Sequence, residues 1–345
     1  MLPNFYNPDN AGKWGYRPDI TKLAAHAADY RSRNNIESHR NDKKRIAFLG
    51  IDLQKDFCLP DGTLYVGGRS GTGAIDDTRR IAEFIYGNMG LISHVAMTLD
   101  THYPFQIFYA SFWNDSDGNP AQPFTAITAD EIENGTYVLN PVAAQFAGGS
   151  YTWGKAQAKH YADELKKAGK YTLYLWPYHC MLSSEGHALT GLINEVTMFH
   201  GFVRGAQPEF ALKGSNPWTE CYSVFGAEVL SRWDGKGAID QKNVALVQTL
   251  LDYDYVIVGG EASSHCVFSS LNSLIEDIQK KDPKLAEKVY VLTDCMSAVT
   301  VPDGNGGFFA DYTQQAEDAF KHYESVGLNL VKSTDPIQDW KGIKL

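Results

Sequence analysis

No stretch of the chain approaches the ~18 consecutive apolar residues that would read as a membrane-spanning helix, so no membrane partner is expected. Basic residues do not cluster. Beyond a short mixed run between Arg40 and Arg45, Lys and Arg are scattered, and the formal net charge is −10. Such a chain has no surface built to grip a phosphate backbone, which sets nucleic acid aside. The text MLPNFYNPDNAGKWGYRPD lacks the basic-then-apolar order of a secretory leader. Cysteine is sparse, five in 345 residues without paired spacing. That argues against a disulfide scaffold and for a reducing, cytoplasmic setting. Neither an internal repeat nor a low-complexity tract interrupts the text.

What is there is ordinary globular composition, 43% hydrophobic and 21% charged, enough for one large domain or two small ones. Residues 1–43 are polar and aromatic without a sustained period. They read as an arm lying on the body of the protein or on a neighbouring subunit. Strand-like and helix-like segments then alternate. RIAFLGID, ISHVAMTLD, YTLYLW, FALKG, YVIVGG and KVYVLTD carry the buried-strand pattern, and LNLVKS adds a short one. Between them AIDDTRRIAEFIYGNM, KAQAKHYADELKKAG, GHALTGLINEVTMFHGFV, KNVALVQTLLD, VFSSLNSLIEDIQK and QQAEDAFKHYESVG space their apolar residues as helices. Tyr103 to about Ser150 reads as loop. Sustained alternation predicts an α/β fold, a doubly wound and mostly parallel sheet with helices on both faces.

In open parallel sheets, chemistry sits beyond the carboxyl ends of the strands. Asp52, Asp100, Trp176, Lys213 and the run Glu261–Cys266 all stand there. Cys266 begins a helix, where free amides and partial positive charge favour a thiolate and can hold an oxyanion. A thiol nucleophile needs a base and a positive neighbour, and Asp52 and Lys213 supply those residue types. Each also has an ordinary reading: a small core residue, a strand-end cap, a solvated charge. Asp100 and His102, two apart on one extended segment, face the same way. With His179 they make a donor set suited to zinc, iron or manganese, or three ordinary strand-end polar groups.

FLGIDLQKDFCLPDGTLYVGG, LDTH, WPYHC, ALKG and GGEASSHCV, in that order, resemble the signatures of the cysteine hydrolases related to isochorismatase, and specifically of nicotinamidases. The resemblance runs from roughly residue 45 to residue 330. It implies the same doubly wound fold and a catalytic triad of Asp52, Lys213 and Cys266. It implies a cis peptide at Glu261–Ala262, with the amides of Ala262 and Cys266 aimed at a common oxyanion. It further implies a divalent transition metal on Asp100, His102 and His179, zinc first and iron or manganese next, holding the ring nitrogen of the substrate. Phe57 and Trp176 fall where that branch lines its pocket, with His265 beside the nucleophile; core packing is the other reading of Trp176. The domain plan is then a 1–43 extension followed by a single hydrolase domain, 44–345, with an insertion at about 103–170.

The chain also departs from that pattern. Ser263 and Ser264 stand where a Thr and an acidic residue are usual, YPFQIFYASF replaces a second His after Asp100 and His102, and the path to His179 is long. These changes bear on the substrate more than on the chemistry. The leading expectation is a metal-dependent amidohydrolase of nicotinamide or a similar small aromatic carboxamide, acting through a cysteine thioester, in a homo-oligomer. The alternatives are a relative acting on another carboxamide or ureido substrate, and a non-catalytic binding scaffold.

Overall fold

The computed structural model describes residues 2–345. Two compact units divide the chain: the first takes the chain up to Leu99, Ala188–Ala211 and Val244–Leu345, the second Asp100–His187 and Leu212–Asn243.

The sheet is built from β1 (Ile46–Ile51), β2 (Ile92–Asp100), β3 (Glu209–Lys213), β4 (Tyr255–Gly260), β5 (Val289–Leu292) and β6 (Asn329–Val331). Their order across the sheet is β6-β5-β4-β1-β2-β3. β1 pairs in parallel with both β2 and β4, β4 with β5, and β5 with β6. The chain therefore winds outward from β1 through β2 to β3, returns to β4 beside β1, and winds outward again. Right-handed crossovers on the two halves send their helices to opposite faces. Every residue of β1, β4 and β5 is buried. This explains why they read as continuous apolar runs and not as alternations.

The helices of this unit are α1 (Ile20–Arg33), α2 (Gly73–Gly87), α3 (Gly191–Arg204), α4 (Val244–Leu251), α5 (Cys266–Lys281) and α6 (Thr313–Ser325). In α5 the buried side chains are Cys266, Val267, Ser270, Leu271, Leu274, Ile275 and Ile278. That is the three-and-four spacing of one face, each large aliphatic contributing about 1.5–3 kcal/mol by leaving water. Lys280 and Lys281 close the last turn, and Pro283 prevents continuation. α1 lies in the arm and escaped the periodicity reading because only Leu23 and Ala27 are buried in it. Asp19 caps it by accepting the Lys22 amide, and it packs on α3. The arm lies on the body of its own chain. Phe5 and Tyr30 set their rings against Phe199 at 5.0 and 5.2 Å, Tyr16 and Tyr86 both donate to Glu195, and Lys55 Nζ donates to the Trp14 carbonyl at 2.7 Å. Burial pushes the Glu195 carboxyl up.

The second unit is built differently. Trp113–Asp115 pairs antiparallel with Tyr137–Leu139, and Ala126–Ile127 with Leu173–Tyr174. The reading of YTLYLW as another strand of the alternation is corrected here. Only Leu173–Tyr174 is strand, and it lies outside the parallel sheet. Pro177, with no amide to donate, ends the run soon after. The region read as loop holds Trp113–Asp115, Ala126–Ile127, Tyr137–Leu139 and a short helix, Ala129–Asn134, all too short to show a period. Helix Tyr151–Lys167 packs its Trp153 ring edge-on to Trp218 at 5.5 Å, and Trp218 meets Phe112 at 5.2 Å. This unit's core is aromatic. No helix among the described residues is long and apolar enough to cross a membrane.

Candidate active site

In the first unit the winding reverses between β1 and β4, and in doubly wound sheets ligands bind beyond the strand ends at that point. β1 ends at Ile51. Asp52 follows with φ +49°, its amide donating to Thr98 Oγ1 at 3.0 Å and its Oδ1 accepting the Thr98 hydroxyl at 2.5 Å. Thr98 on β2 thus fixes both the backbone and the carboxylate of Asp52. Phe57 is buried in the single turn Lys55–Cys58 that comes next. β4 ends on Gly260, whose φ is +129° and whose neighbour is Ile51. A Cβ there would stand 2.1 Å from the Ile51 carbonyl oxygen, so only glycine lets the two strand ends approach this closely. The Glu261 amide then donates to that same carbonyl at 2.8 Å.

The Glu261–Ala262 peptide bond is cis, where the resemblance places one. The turn closes on itself: the amides of His265 and Val267 donate to the Ala262 carbonyl at 3.0 and 3.1 Å, and the Ser263 amide to the Ser297 carbonyl at 2.8 Å. Ser264 Oγ accepts the Val299 amide at 3.0 Å and lies 2.9 Å from His265 Nδ1. His265 is the N-cap of α5, edge-on to Tyr312 at 5.0 Å, and burial pushes its imidazole down to about 4. Cys266 is the first residue of α5 and is buried. Burial pushes the thiols of Cys58, Cys221 and Cys295 up, which keeps those three protonated and unreactive.

The second unit holds the other group. His102 exchanges backbone hydrogen bonds with Cys180 and Leu182, and this brings His179 alongside it. Asp100 Oδ2 lies 2.8 Å from His102 Nε2 and 3.6 Å from His179 Nε2, and the three donor atoms are within 4.8 Å of one another. The opposite ring nitrogens are both engaged: His102 Nδ1 with the Gly214 carbonyl at 3.0 Å, His179 Nδ1 with the Pro177 carbonyl at 2.7 Å. A carbonyl requires Nδ1 to carry the proton, which leaves each Nε2 a lone pair. This is the outer-shell arrangement of metal-binding histidines, and the donor set fits a divalent ion. Burial pushes the His102 imidazole down, against the pull of Asp100. Burial pushes the Asp100 carboxyl up, but His102 and Lys213 outweigh it and hold it well below the usual range.

Lys213 belongs to this group too. Its Nζ donates to Asp100 Oδ1 and to the Cys221 carbonyl, both at 3.0 Å. The sequence reading kept Lys213 and Asp100 apart; a buried ion pair joins them. Trp176 donates its Nε1 hydrogen to Tyr222 and packs edge-on to Tyr174 at 4.8 Å.

Some residues of these groups were not singled out from the sequence. Thr98 stands two before Asp100 on one strand, a period-two signal that was there to read. Tyr109, which donates to the His179 carbonyl at 3.0 Å, and Gln106, which donates to the Gly214 carbonyl, had no local signal. Gly214 has φ +86°, and a Cβ there would lie 2.7 Å from both Asp100 Oδ1 and His102 Cε1. Gly214→Ala is expected to cost about 2–4 kcal/mol of stability, from backbone strain and overpacking, and to lower bound metal. Urea unfolding and elemental analysis on one preparation check both.

No protein-family model matches the chain, and no curated protein matches its sequence. Solved structures similar to it are nicotinamidases and pyrazinamidases. A nicotinamidase/pyrazinamidase from Acinetobacter baumanii is 20% identical, with 86% of this chain and 99% of that one covered at a TM-score of 0.48. The yeast nicotinamidase bound to the inhibitor nicotinaldehyde is 16% identical, covering 83% and 99% at 0.49. The pyrazinamidase of Pyrococcus horikoshii in complex with zinc is 16% identical, covering 83% and 98% at 0.42. At such identities and scores, the assignment of chemistry to this chain has to come from its own residues.

Proposed function

We propose that the protein is a metal-dependent amidohydrolase that converts nicotinamide, or a similar small aromatic carboxamide, to the acid and ammonia through a thioester on Cys266. The observation that carries this reading is the placement of Asp52 and Cys266. They follow the carboxyl ends of β1 and β4, the adjacent strands between which the winding reverses. Asp52, oriented by Thr98, takes the thiol proton. Cys266 attacks the carbonyl carbon, and the amides of Ala262 and Cys266 receive the oxyanion. Asp52 passes that proton to the nitrogen as ammonia leaves, Lys213 balances the charge, and water then cleaves the thioester, releasing the acid and restoring the thiol. Phe57 and His265 in the first unit offer faces suited to a flat ring, as does Trp176 in the second. Asp100, His102 and His179 would hold the ion, zinc before iron or manganese, and a bound ion supplies a Lewis-acid contact for a ring nitrogen.

Ammonia release from a panel of amides tests the reading. Nicotinamide and pyrazinamide are expected to turn over well above aliphatic amides and ureido compounds. Turnover confined to ureido compounds would move the assignment to another branch of the same chemistry, and no turnover of any amide would leave a binding scaffold.

A further inference from the structure

Behind the turn that carries Cys266 lies a carboxyl pair which the reaction above does not use. Glu261 and Asp77 are 1% and 3% exposed, and the charge of Asp77 acts on Glu261. Ser297 links them, its amide donating to Glu261 Oε2 at 3.2 Å and its hydroxyl to Asp77 Oδ2 at 2.5 Å. The Ser297 carbonyl accepts the Ser263 amide inside the turn. Asp77 is anchored in turn by Arg80 Nη1 at 3.1 Å, and Arg80 also donates to the Asp294 carbonyl.

We propose that Glu261 and Asp77, joined through Ser297, are positioning residues that hold the turn Glu261–Ser264, and with it the start of α5, in register for the cysteine chemistry. The proposal rests on the function proposed above. Two carboxylates cannot both stay charged at such contact in a buried site, so the pair keeps one proton. Burial first, then the charge of Asp77, holds the Glu261 carboxyl well above the usual range, while Asp77 sits at about 6. Glu261 is therefore the member of the pair that keeps the proton near neutrality. A neutral Glu261 also leaves no extra negative charge beside the amides that must receive an oxyanion. The other groups facing the pair are Arg80 and Asp76 on α2, Cys58 and Tyr65 after β1, and Cys295 before Ser297. Burial pushes Cys58, Tyr65 and Cys295 up, so they stay neutral, and Arg80 brings the positive charge.

The sign of the pH effect follows. A carboxyl raised on folding contributes stability that is complete below its unfolded value and is lost as pH rises through the folded value. For Asp77 that loss runs from its ordinary value of 3.8 to about 6. For Glu261 it begins at the ordinary 4.5 and extends well above it.

The test uses the full-length protein and its Glu261→Gln, Glu261→Ala and Asp77→Asn variants, from about pH 5 to pH 9. Alkylation of Cys266 by iodoacetamide, the thermal midpoint and ammonia release are measured on each. Glu261→Ala and Asp77→Asn are expected to slow Cys266 alkylation about tenfold, the scale of a small misplacement. Glu261→Gln, which keeps the shape and neutral charge of the protonated acid and an oxygen for the Ser297 amide, is expected to recover most of that loss. Its midpoint should rise relative to wild type as pH increases, because an amide has no proton to lose. Equal alkylation in every variant, with a midpoint difference that does not change with pH, overturns the proposal. If Glu261→Ala does not fold, Glu261→Gln against wild type decides alone. Alkylation and midpoint effects without ammonia release from any amide keep the clamp and remove the amidase reading. Ammonia release with flat alkylation and midpoints does the reverse.

Discussion

Cys266→Ala is expected to lower amide hydrolysis by at least ~10⁴-fold, the scale seen when a nucleophile is removed from a unit that works together. Nothing else in the turn can take over: Ser263 and Ser264 precede the helix, and the Ser264 hydroxyl is committed to the Val299 amide and to His265. The loss should come without unfolding. The substitution removes one sulfur from a buried position at the helix start, and its cost should be about 1 kcal/mol, well within what the apolar face of α5 supplies. Thermal melts of the two proteins should therefore nearly coincide. Mass spectrometry of wild type quenched during turnover should find an acyl group on Cys266. An acyl group on Cys58, Cys180, Cys221 or Cys295 would reassign the nucleophile.

His179→Ala carries the second large effect. Wild type prepared with a divalent ion is expected to hold about one per chain, and the variant close to none, because losing one of three protein donors from such a site sharply weakens it. Occupancy should also decline on acidification, since protons compete for the Nε2 lone pairs. The thiol of Cys266 should still react with iodoacetamide, because the proposed role of the ion is to hold the ring and not to supply the nucleophile. Elemental analysis gives the first number and alkylation the second. A metal-free wild type with full activity on nicotinamide would keep the thioester chemistry and remove the metal from it.

Much of this arrangement was legible because it is local. β1, β2 and β4 announce themselves as apolar runs, and the residues that end them, Asp52, Asp100 and Gly260, follow directly in the text. Asp100 and His102 share a face by simple alternation. What could not be read depends on partners distant in sequence. The pairing of Asp100 with Lys213 spans 113 positions, and that of Ser297 with Asp77 spans 220. Glu261 shows the limit well: its place at a strand end was visible, but Asp77, to which Ser297 links it, lies on α2. The arm misled for a different reason. α1 buries only Leu23 and Ala27, and the arm docks largely through side chains outside that helix, the Phe5 ring against Phe199 and the Tyr16 hydroxyl on Glu195. The second unit's strands of two or three residues are shorter than any period that could reveal them.

The position of β1 between β2 and β4 has a consequence for how the chain is made. On one side β1 meets its partner early, Ile46 against Ile92, but on the other Ile46 waits for Tyr255. At ribosomal speeds of 5–20 residues per second, that interval is roughly 10–40 s. Throughout it the nascent protein presents an open, apolar strand edge, the kind of surface on which chains aggregate. Recombinant yield should consequently depend on slow synthesis at low temperature, or on a chaperone that shields this edge, more than on the stability of the finished fold.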